Sequence, residues 1–383
     1  MAADGHLGGR QIGVIGGGVA GLAVARALAL RGARVTLFEQ APAIAEVGAG
    51  LQVSPNGLRV IDALGLGAAL RSAALGGDAV VLRDFRKGAQ VLRLDLRREG
   101  AAGDYLFVHR ARLIAILAAG AREAGVTIRL GARIVGGALP ADLTIGADGL
   151  HSGLRAGLNG AASPHFTGQV AWRALIAEGP AAPREAQVFM GPRRHLVSYP
   201  LAGGLRNIVA VEERRDWTEE GWHHRDDPDN LRRAFARFGG PVPGWLARVD
   251  EVHLWGLFRH PVAARWQDGA RAILGDAAHP TLPFLAQGAN LALEDAWVLA
   301  DCLDRMPQAK ALAAYEAARR PRATRVIDAA TANARNYHLS NPLVRGVAHG
   351  VLRLGAALAP AQALRRFDWL YGHDVTRDEG RQA

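Results

Sequence analysis

Three features of the sequence predict an α/β protein: a parallel-sheet domain, interrupted by an antiparallel-sheet insertion and followed by a helical tail. A strand, a glycine loop and a helix open the chain at residues 11–31. Two later segments, 142–152 and 271–280, each run from an apolar stretch into a turn carrying an aspartate. Around and between them lie short runs in which apolar and polar residues alternate, the period of a half-buried strand.

Gln11 to Ile15 is a short apolar strand, followed at once by Gly16-Gly17-Gly18-Val19-Ala20-Gly21. A helix rich in Ala, Leu and Val is expected from about Val19 to Arg31; Gly32-Ala33 turns the chain, and Arg34 to Glu39 reads as the next parallel strand. Together they form one complete βαβ unit of Rossmann-like type. Gly16 permits the tight turn, Gly18 lets a pyrophosphate approach the backbone, and Gly21 lets helix and strand pack closely. The helix N-terminus offers unpaired N–H groups and roughly half a positive charge to phosphates. Glu39 stands eighteen residues after Gly21, where a carboxylate can accept both ribose hydroxyls. A carboxylate there argues against a 2′-phosphate, leaving FAD or NAD as the ligand of this unit.

Asp142 to Ser152 is an apolar strand running into a turn with Asp148 and Gly149, and Arg155 follows. Arg271 to Pro280 repeats the theme and delivers Asp276 at the carboxyl end of a strand, where ligands sit in open α/β sheets. After the loop Thr281 to Asn290, a helix is expected from about Leu291 to Leu303. Its N-terminal donors can stabilise negative charge on a ligand ring.

Val170 to Ile176, Ala186 to Met190 and Leu205 to Val211 alternate as strands of the inserted antiparallel sheet, a lid over the cofactor. Arg194 to Pro200, read as a strand, puts His195, Val197 and Tyr199 on one face. That pair is either ordinary sheet packing or the wall of an active site. Trp217, Trp222 and Trp245 read as packing residues, and the chain is helical from about Ala309. Arg345, His349 and Arg353 share one helix face, expected to be solvated.

Composition removes several classes. With 49% hydrophobic and 21% charged residues among 383, the chain suits a globular protein of two joined domains. No stretch reaches the eighteen uncharged apolar residues of a membrane span. Met1 to Arg10 is too short and polar for a secretory signal, and Cys302 is the only cysteine, so a cytoplasmic home is expected. The formal charge of +10 comes from scattered arginines, with only Lys87 and Lys310 as lysines, which argues against nucleic acid as a partner. A basic surface favours anionic small partners. No spacing resembles a metal site.

Taken together, these motifs resemble the flavoprotein aromatic hydroxylases of the para-hydroxybenzoate hydroxylase fold, above all the salicylate hydroxylase and 3-hydroxybenzoate 6-hydroxylase types. The resemblance covers nearly the whole chain. It is carried by the glycine loop with Glu39, Gly48-Ala49-Gly50, Pro55-Asn56, His109-Arg110, Asp148-Gly149, the Asp276 motif, and Arg366 to Gly372.

The resemblance implies a non-covalently bound FAD. Gly16, Gly18 and Gly21 would cradle its pyrophosphate and Glu39 its adenosine ribose. Arg110 would lie along the phosphate and ribityl stretch, and Asp276 would bond the ribityl or pyrophosphate. Gly50 would let the chain pass close to the flavin, and Gly288, Ala289 and Asn290 would meet the isoalloxazine edge. Asp148 would help build the FAD site and serve nicotinamide use. It also implies NADH or NADPH as transient reductant, molecular oxygen, and a C4a-hydroperoxyflavin that hydroxylates a small aromatic substrate. His195 as base, Tyr199 and Gln287 would contact the substrate phenol, with His195 expected near the ordinary histidine pKa of about 6.5.

The implied division assigns 1–74, 107–166 and 263–340 to the FAD-binding domain, 75–106 and 167–262 to the substrate domain, and 341–383 to a C-terminal helical segment. A monomer or homodimer without integral membrane contact is expected. Two departures stand out. Relatives place a hairpin before the Asp148 motif where Arg133 to Ala141 connects directly, which puts an outer antiparallel layer in doubt; Phe258 precedes Arg259 where relatives often carry an acid. A quinone-precursor hydroxylase, an FAD dehydrogenase or oxidase, and a Rab GDP-dissociation-inhibitor-type binder are the competing readings.

Overall fold

The computed structural model describes residues 5–44, 49–97, 104–137, 139–161, 163–179, 181–215, 224–358 and 365–377; Gly48, Trp217 and Trp222 lie outside the described residues. The first sheet is parallel and ordered β16 (Arg271–Ile273), β9 (Leu143–Gly146), β1 (Gln11–Ile15), β2 (Arg34–Phe38), β8 (Thr127–Arg129). The central strands β1 and β9 are almost wholly buried, as expected of a parallel sheet covered on both faces. Helix α1 (Val19–Ala29) packs on α4 (Arg110–Glu123) and α8 (Gly288–Arg305) through small Ala and Leu side chains. Both aspartate turns follow strands of this sheet at their carboxyl ends, beside the glycine loop.

The lid is an eight-stranded sheet ordered β14 (His224–Asp226), β15 (Val252–Arg259), β10 (His165–Ala177), β13 (Leu205–Glu213), β12 (Arg194–Leu201), β11 (Glu185–Gly191), β5 (Ala79–Asp84), β6 (Gln90–Asp95). It is not purely antiparallel: β11 runs parallel to β5. That pairing joins two stretches far apart in the sequence, which local alternation does not reveal. Alternation does decide the faces. Trp172, Leu196, Ile208 and Ala210 enter an apolar core with Phe235, which follows α6 (Pro228–Ala234), and Trp245 from α7 (Val242–Ala247), so Trp245 is a packing residue. Their neighbours Arg173, His195, Val197, Tyr199, Val209 and Val211 face the cleft above the parallel sheet. A small sheet, β3 (Gly50–Val53), β7 (Leu106–His109) and β4 (Leu75–Gly76), joins the layers; α2 (Pro55–Ala63) and α3 (Gly67–Ala73) follow β3.

The chain passes from β8 to β9 with no strand among the described residues between Arg129 and Leu143. The shortened segment therefore carries no hairpin there. Helix α5 (Gly153–Asn159) follows the Asp148 turn. The tail consists of α9 (Gln308–Tyr337), α10 (Pro342–Leu358) and α11 (Asp368–Tyr371).

On α10 the expectation is reversed for Arg345 and His349, while Arg353 stays exposed. Arg345 and His349 are buried: Arg345 donates to Leu339 O at 3.0 Å and lies over Phe85, and His349 Nδ1 is 3.7 Å from Asp84 Oδ2. Arg353 donates to Gln90 O at 3.3 Å. Arg345 and His349 turn inward because Leu339, just past α9, supplies a carbonyl and Asp84 of β5 a carboxylate; Leu343, Val347, Val351, Leu354 and Leu358 are left exposed. Among the described residues no helix is long and apolar enough to cross a membrane.

Candidate active site

The glycine loop has the geometry its sequence requires. Gly16 sits at φ +106°, where a Cβ would lie 2.3 Å from Ala147 O. A Cβ on Gly21 would lie 1.9 Å from Gly16 O, so only glycine lets helix and loop close. A Cβ on Gly18 would meet nothing within 4 Å: it opens on the cleft. Glu39 is held beside this loop, accepting from Gly17 N at 2.6 Å and Ala41 N at 2.7 Å. Arg110 opens α4, its N–H donating to Ala49 O at 2.9 Å, and its side chain lines the cleft.

Asp276 lines the same cleft from a 3-10 turn after β16. Its side chain is exposed by surface area yet ringed by protein, because the surface it touches is concave. That enclosure pushes its carboxyl up, against the pull of His279, Arg110 and His260. Asp148 does not reach the cleft. Its Oδ2 accepts from Gly153 N at 3.0 Å, and its Oδ1 is buried without a hydrogen-bond partner among the described residues. Arg155 is a loop tie, donating to Ala277 O and Pro261 O.

Three of the expected contact residues also have close protein partners. A Cβ on Gly50 would meet Tyr199 Cε2 at 2.7 Å and Asn207 Cβ at 2.9 Å, so its missing side chain makes room for the lid as much as for a ligand. Asn290 turns its carboxamide away from the cleft, accepting from Ser54 N at 3.0 Å and donating to Gln52 O and Ala286 O. Gln287 lines the cleft, but its amide donates to Ser54 Oγ at 3.0 Å and accepts from Asn56 Nδ2 at 3.1 Å. Both amides serve a buried network that fixes the N-terminus of α8. This helix begins three residues earlier than its sequence indicates, so the first-turn N–H groups of Gly288, Ala289 and Asn290 have no intrahelical acceptor. Gly288 and Ala289 line the cleft, so the positive end of α8 is presented there.

His195 and Tyr199 do share the cleft face of β12, both buried. His195 stands where the cleft, about 250 Å³, meets a second, mostly apolar cavity of about 750 Å³ reaching to α10 and α11. Phe284 and Tyr337 flank its ring. Burial, with His338 beside it, holds its imidazole well below the expected 6.5, so it is neutral. Burial also pushes the Tyr199 phenol up and keeps it protonated.

Other residues of the site carry no signal in the sequence. Arg173 lines the cleft from β10, its guanidinium 4.6 Å from the centre of the Trp255 ring. His338, just past α9, and Glu213, at the end of β13, approach His195 from behind. Their separation in sequence is 143 and 125 residues for the two contacts, so no local pattern joins them.

A glycine loop at a helix N-terminus facing an open cleft, roofed by a sheet that carries a buried imidazole, is the architecture of a dinucleotide-dependent oxidoreductase. The FAD binding domain family matches residues 10–138 and 136–330. Over 398 residues the chain is 36% identical to a 3-amino-4-hydroxybenzoate 2-monooxygenase of Streptomyces platensis, covering 95% of this chain and 96% of that one. It is 32% identical to a 3-hydroxybenzoate 6-hydroxylase of Klebsiella oxytoca over 391 residues, 94% and 96% of the two chains. The structure of HpxO from Klebsiella pneumoniae with FAD and uric acid superposes with a TM-score of 0.81 at 25% identity, covering 93% and 95%. The chain belongs to the FAD-binding family of flavin-dependent aromatic monooxygenases. The residues present fit FAD, since Gly18, at the N-terminus of α1, opens on a cleft that Arg110 and Asp276 also line.

Proposed function

We propose that this protein hydroxylates a small phenolic acid with FAD, using NADH or NADPH as a transient reductant and molecular oxygen as co-substrate. The observation that carries this reading is the buried, neutral His195 where the glycine-loop cleft meets the second cavity. When bound, FAD supplies the electron transfer from nicotinamide to oxygen and the electrophilic oxygen. Gly16 and Gly21 let the loop close into a cradle and Gly18 would make room for its pyrophosphate, Glu39 would accept from its ribose, and Arg110 and Asp276 would hold its middle. The N–H groups of Gly288, Ala289 and Asn290 stabilise negative charge on its reduced ring. Asp148 supports this wall from outside the cleft and, by the same family likeness, serves nicotinamide use.

His195 accepts the phenol proton, which makes the ring more electron-rich at the carbon attacked. Tyr199, a neutral phenol, orients the substrate oxygen. Arg173 pairs with the aryl carboxylate. Val197, Val209, Val211 and Phe284 keep the site dry. A cytoplasmic monomer or homodimer fits the single cysteine and the absence of a spanning helix among the described residues.

The test is a purified sample with a flavin spectrum, offered 3-amino-4-hydroxybenzoate, 3-hydroxybenzoate and salicylate with each nicotinamide. Substrate-stimulated nicotinamide oxidation, with labelled oxygen appearing in a hydroxylated product by mass, is expected. Oxidation that yields only peroxide with every phenolic acid would make the protein an oxidase and overturn the reading.

A further inference from the structure

His195 Nδ1 lies 2.6 Å from His338 Nε2, and His338 Nδ1 lies 2.9 Å from Glu213 Oε1. Both imidazoles are buried, whereas the Glu213 side chain is 31% exposed. The three groups thus form a continuous line from the cavity to solvent, assembled from β12, the end of α9 and β13.

The protons in this line are assigned by its outer end. An ionised carboxylate only accepts, so His338 Nδ1 carries a hydrogen and donates it to Glu213. Gln169 Nε2, 3.4 Å from the same nitrogen, is farther away and uncharged. His338 Nε2 is then a bare acceptor, and His195 Nδ1 must donate to it. This leaves His195 Nε2 as the unprotonated nitrogen of a ring that borders both cavities. Glu213, through His338, therefore selects the tautomer in which His195 is a base.

We propose that His338 and Glu213 are the proton outlet of the site, carrying the substrate proton from His195 to solvent. The proposal rests on the phenol-hydroxylating reading above. The phenol O–H breaks as His195 Nε2–H forms; His195 Nδ1–H breaks as His338 Nε2–H forms; His338 Nδ1–H breaks as a Glu213 O–H forms. Glu213 then releases the proton to water; after the reaction Glu213 takes a proton from water, and reversal of the three transfers delivers the His195 Nε2 hydrogen to the product oxygen and restores the starting tautomers. Burial lowers the affinity of both rings for a proton, although Glu213 partly offsets this at His338. A hand-off that leaves both rings neutral avoids a buried imidazolium. The other groups facing the line are Tyr337 and Phe284 on His195, Gln169 on His338, and Arg193, whose Nε is 3.0 Å from Glu213 Oε2.

A purely structural role is the alternative, since His338 O also accepts from Arg193 N at 3.3 Å and pins the end of α9 to the sheet. The two are separated by mixing the oxidised FAD-loaded protein with 3-hydroxybenzoate or 3-amino-4-hydroxybenzoate in weak buffer containing phenol red. Flavin absorbance reports binding, and the dye reports proton release. We expect wild type and Arg193→Gln to release a proton promptly on binding. His338→Gln and Glu213→Gln should bind similarly but release it at least about tenfold more slowly.

In His338→Ala, imidazole should restore fast release, whereas N-methylimidazole, with one nitrogen blocked, should not. Binding with equally fast release in His338→Gln, or equal rescue by both imidazoles, would overturn the outlet and leave the hydroxylase reading standing. No flavin perturbation with any phenolic acid would overturn both.

Discussion

Arg319 donates through Nε to Asp295 Oδ1 at 2.8 Å, with both side chains fully buried between α8 and α9. Arg319 also meets Glu294 Oε2 at 2.7 Å, and Arg322 Nε reaches the same oxygen at 2.7 Å. Asp295 Oδ2 in turn accepts from Gly275 N at 3.1 Å and pairs with His279. The network therefore fixes the turn that presents Asp276 to the cleft. Breaking it from the arginine side leaves two carboxylates undercompensated. Arg319→Met is expected to destabilise the fold by about 3–5 kcal/mol. A urea titration checks this: the midpoint should fall while the slope stays the same.

The same network sets the response to acid. Burial pushes the Glu294 and Asp295 carboxyls up, but Arg319, Arg322 and His279 more than offset it and hold both at about 2, against ordinary values of 4.5 and 3.8. A carboxylate whose folded pKa is depressed contributes stability above its unfolded pKa and loses it as pH falls through the folded value. Their contribution should be complete above about pH 4.5 and lost by about pH 2. Unfolding free energy measured against pH should fall across that window, and less steeply in Arg319→Met.

The glycine loop separates folding from cofactor binding. Gly21→Ala forces a Cβ against Gly16 O and should reduce both stability and FAD retention. Gly18→Ala adds a methyl only to open cleft space. It should melt like the wild type without cofactor yet bind FAD at least about tenfold more weakly, a difference of roughly 1.4 kcal/mol. Flavin fluorescence titration and apoprotein melting curves give the two readings independently. Equal FAD affinity in Gly18→Ala would remove this residue from the cofactor site.

His195→Ala should retain FAD and slow hydroxylation by roughly 10²–10⁴-fold, the usual contribution of a general base. Flavin reduction should change less, so peroxide should replace product. Because burial holds the His195 imidazole below the ordinary 6.5, the acid limb of the wild-type rate should lie below that pH. A pH–rate profile checks the limb, and product quantified against nicotinamide consumed checks the coupling. A variant with wild-type rate and coupling would make His195 a packing residue.

The sequence by itself determined the parts of this protein built from near neighbours. The βαβ unit is one, because its turn, its close helix contact and its carboxylate all fall between Gln11 and Glu39. The alternation along β12 is another: successive side chains of a strand point to opposite faces, so His195 and Tyr199 had to share one. Tertiary structure decided what those side chains meet. Gln287 and Asn290 follow a loop that faces the cleft, but Ser54 and Asn56, more than two hundred residues upstream, capture their amides. Arg345 and His349 of α10 turned inward because the carbonyl of Leu339 and the carboxylate of Asp84 offer them partners. His195 is a buried, neutral imidazole beside a second one only because the end of α9 brings His338 against it and β13 brings Glu213 against His338. Burial and hydrogen-bond partnership are properties of the assembled layers, since they depend on chain segments that meet only when the lid closes over the parallel sheet.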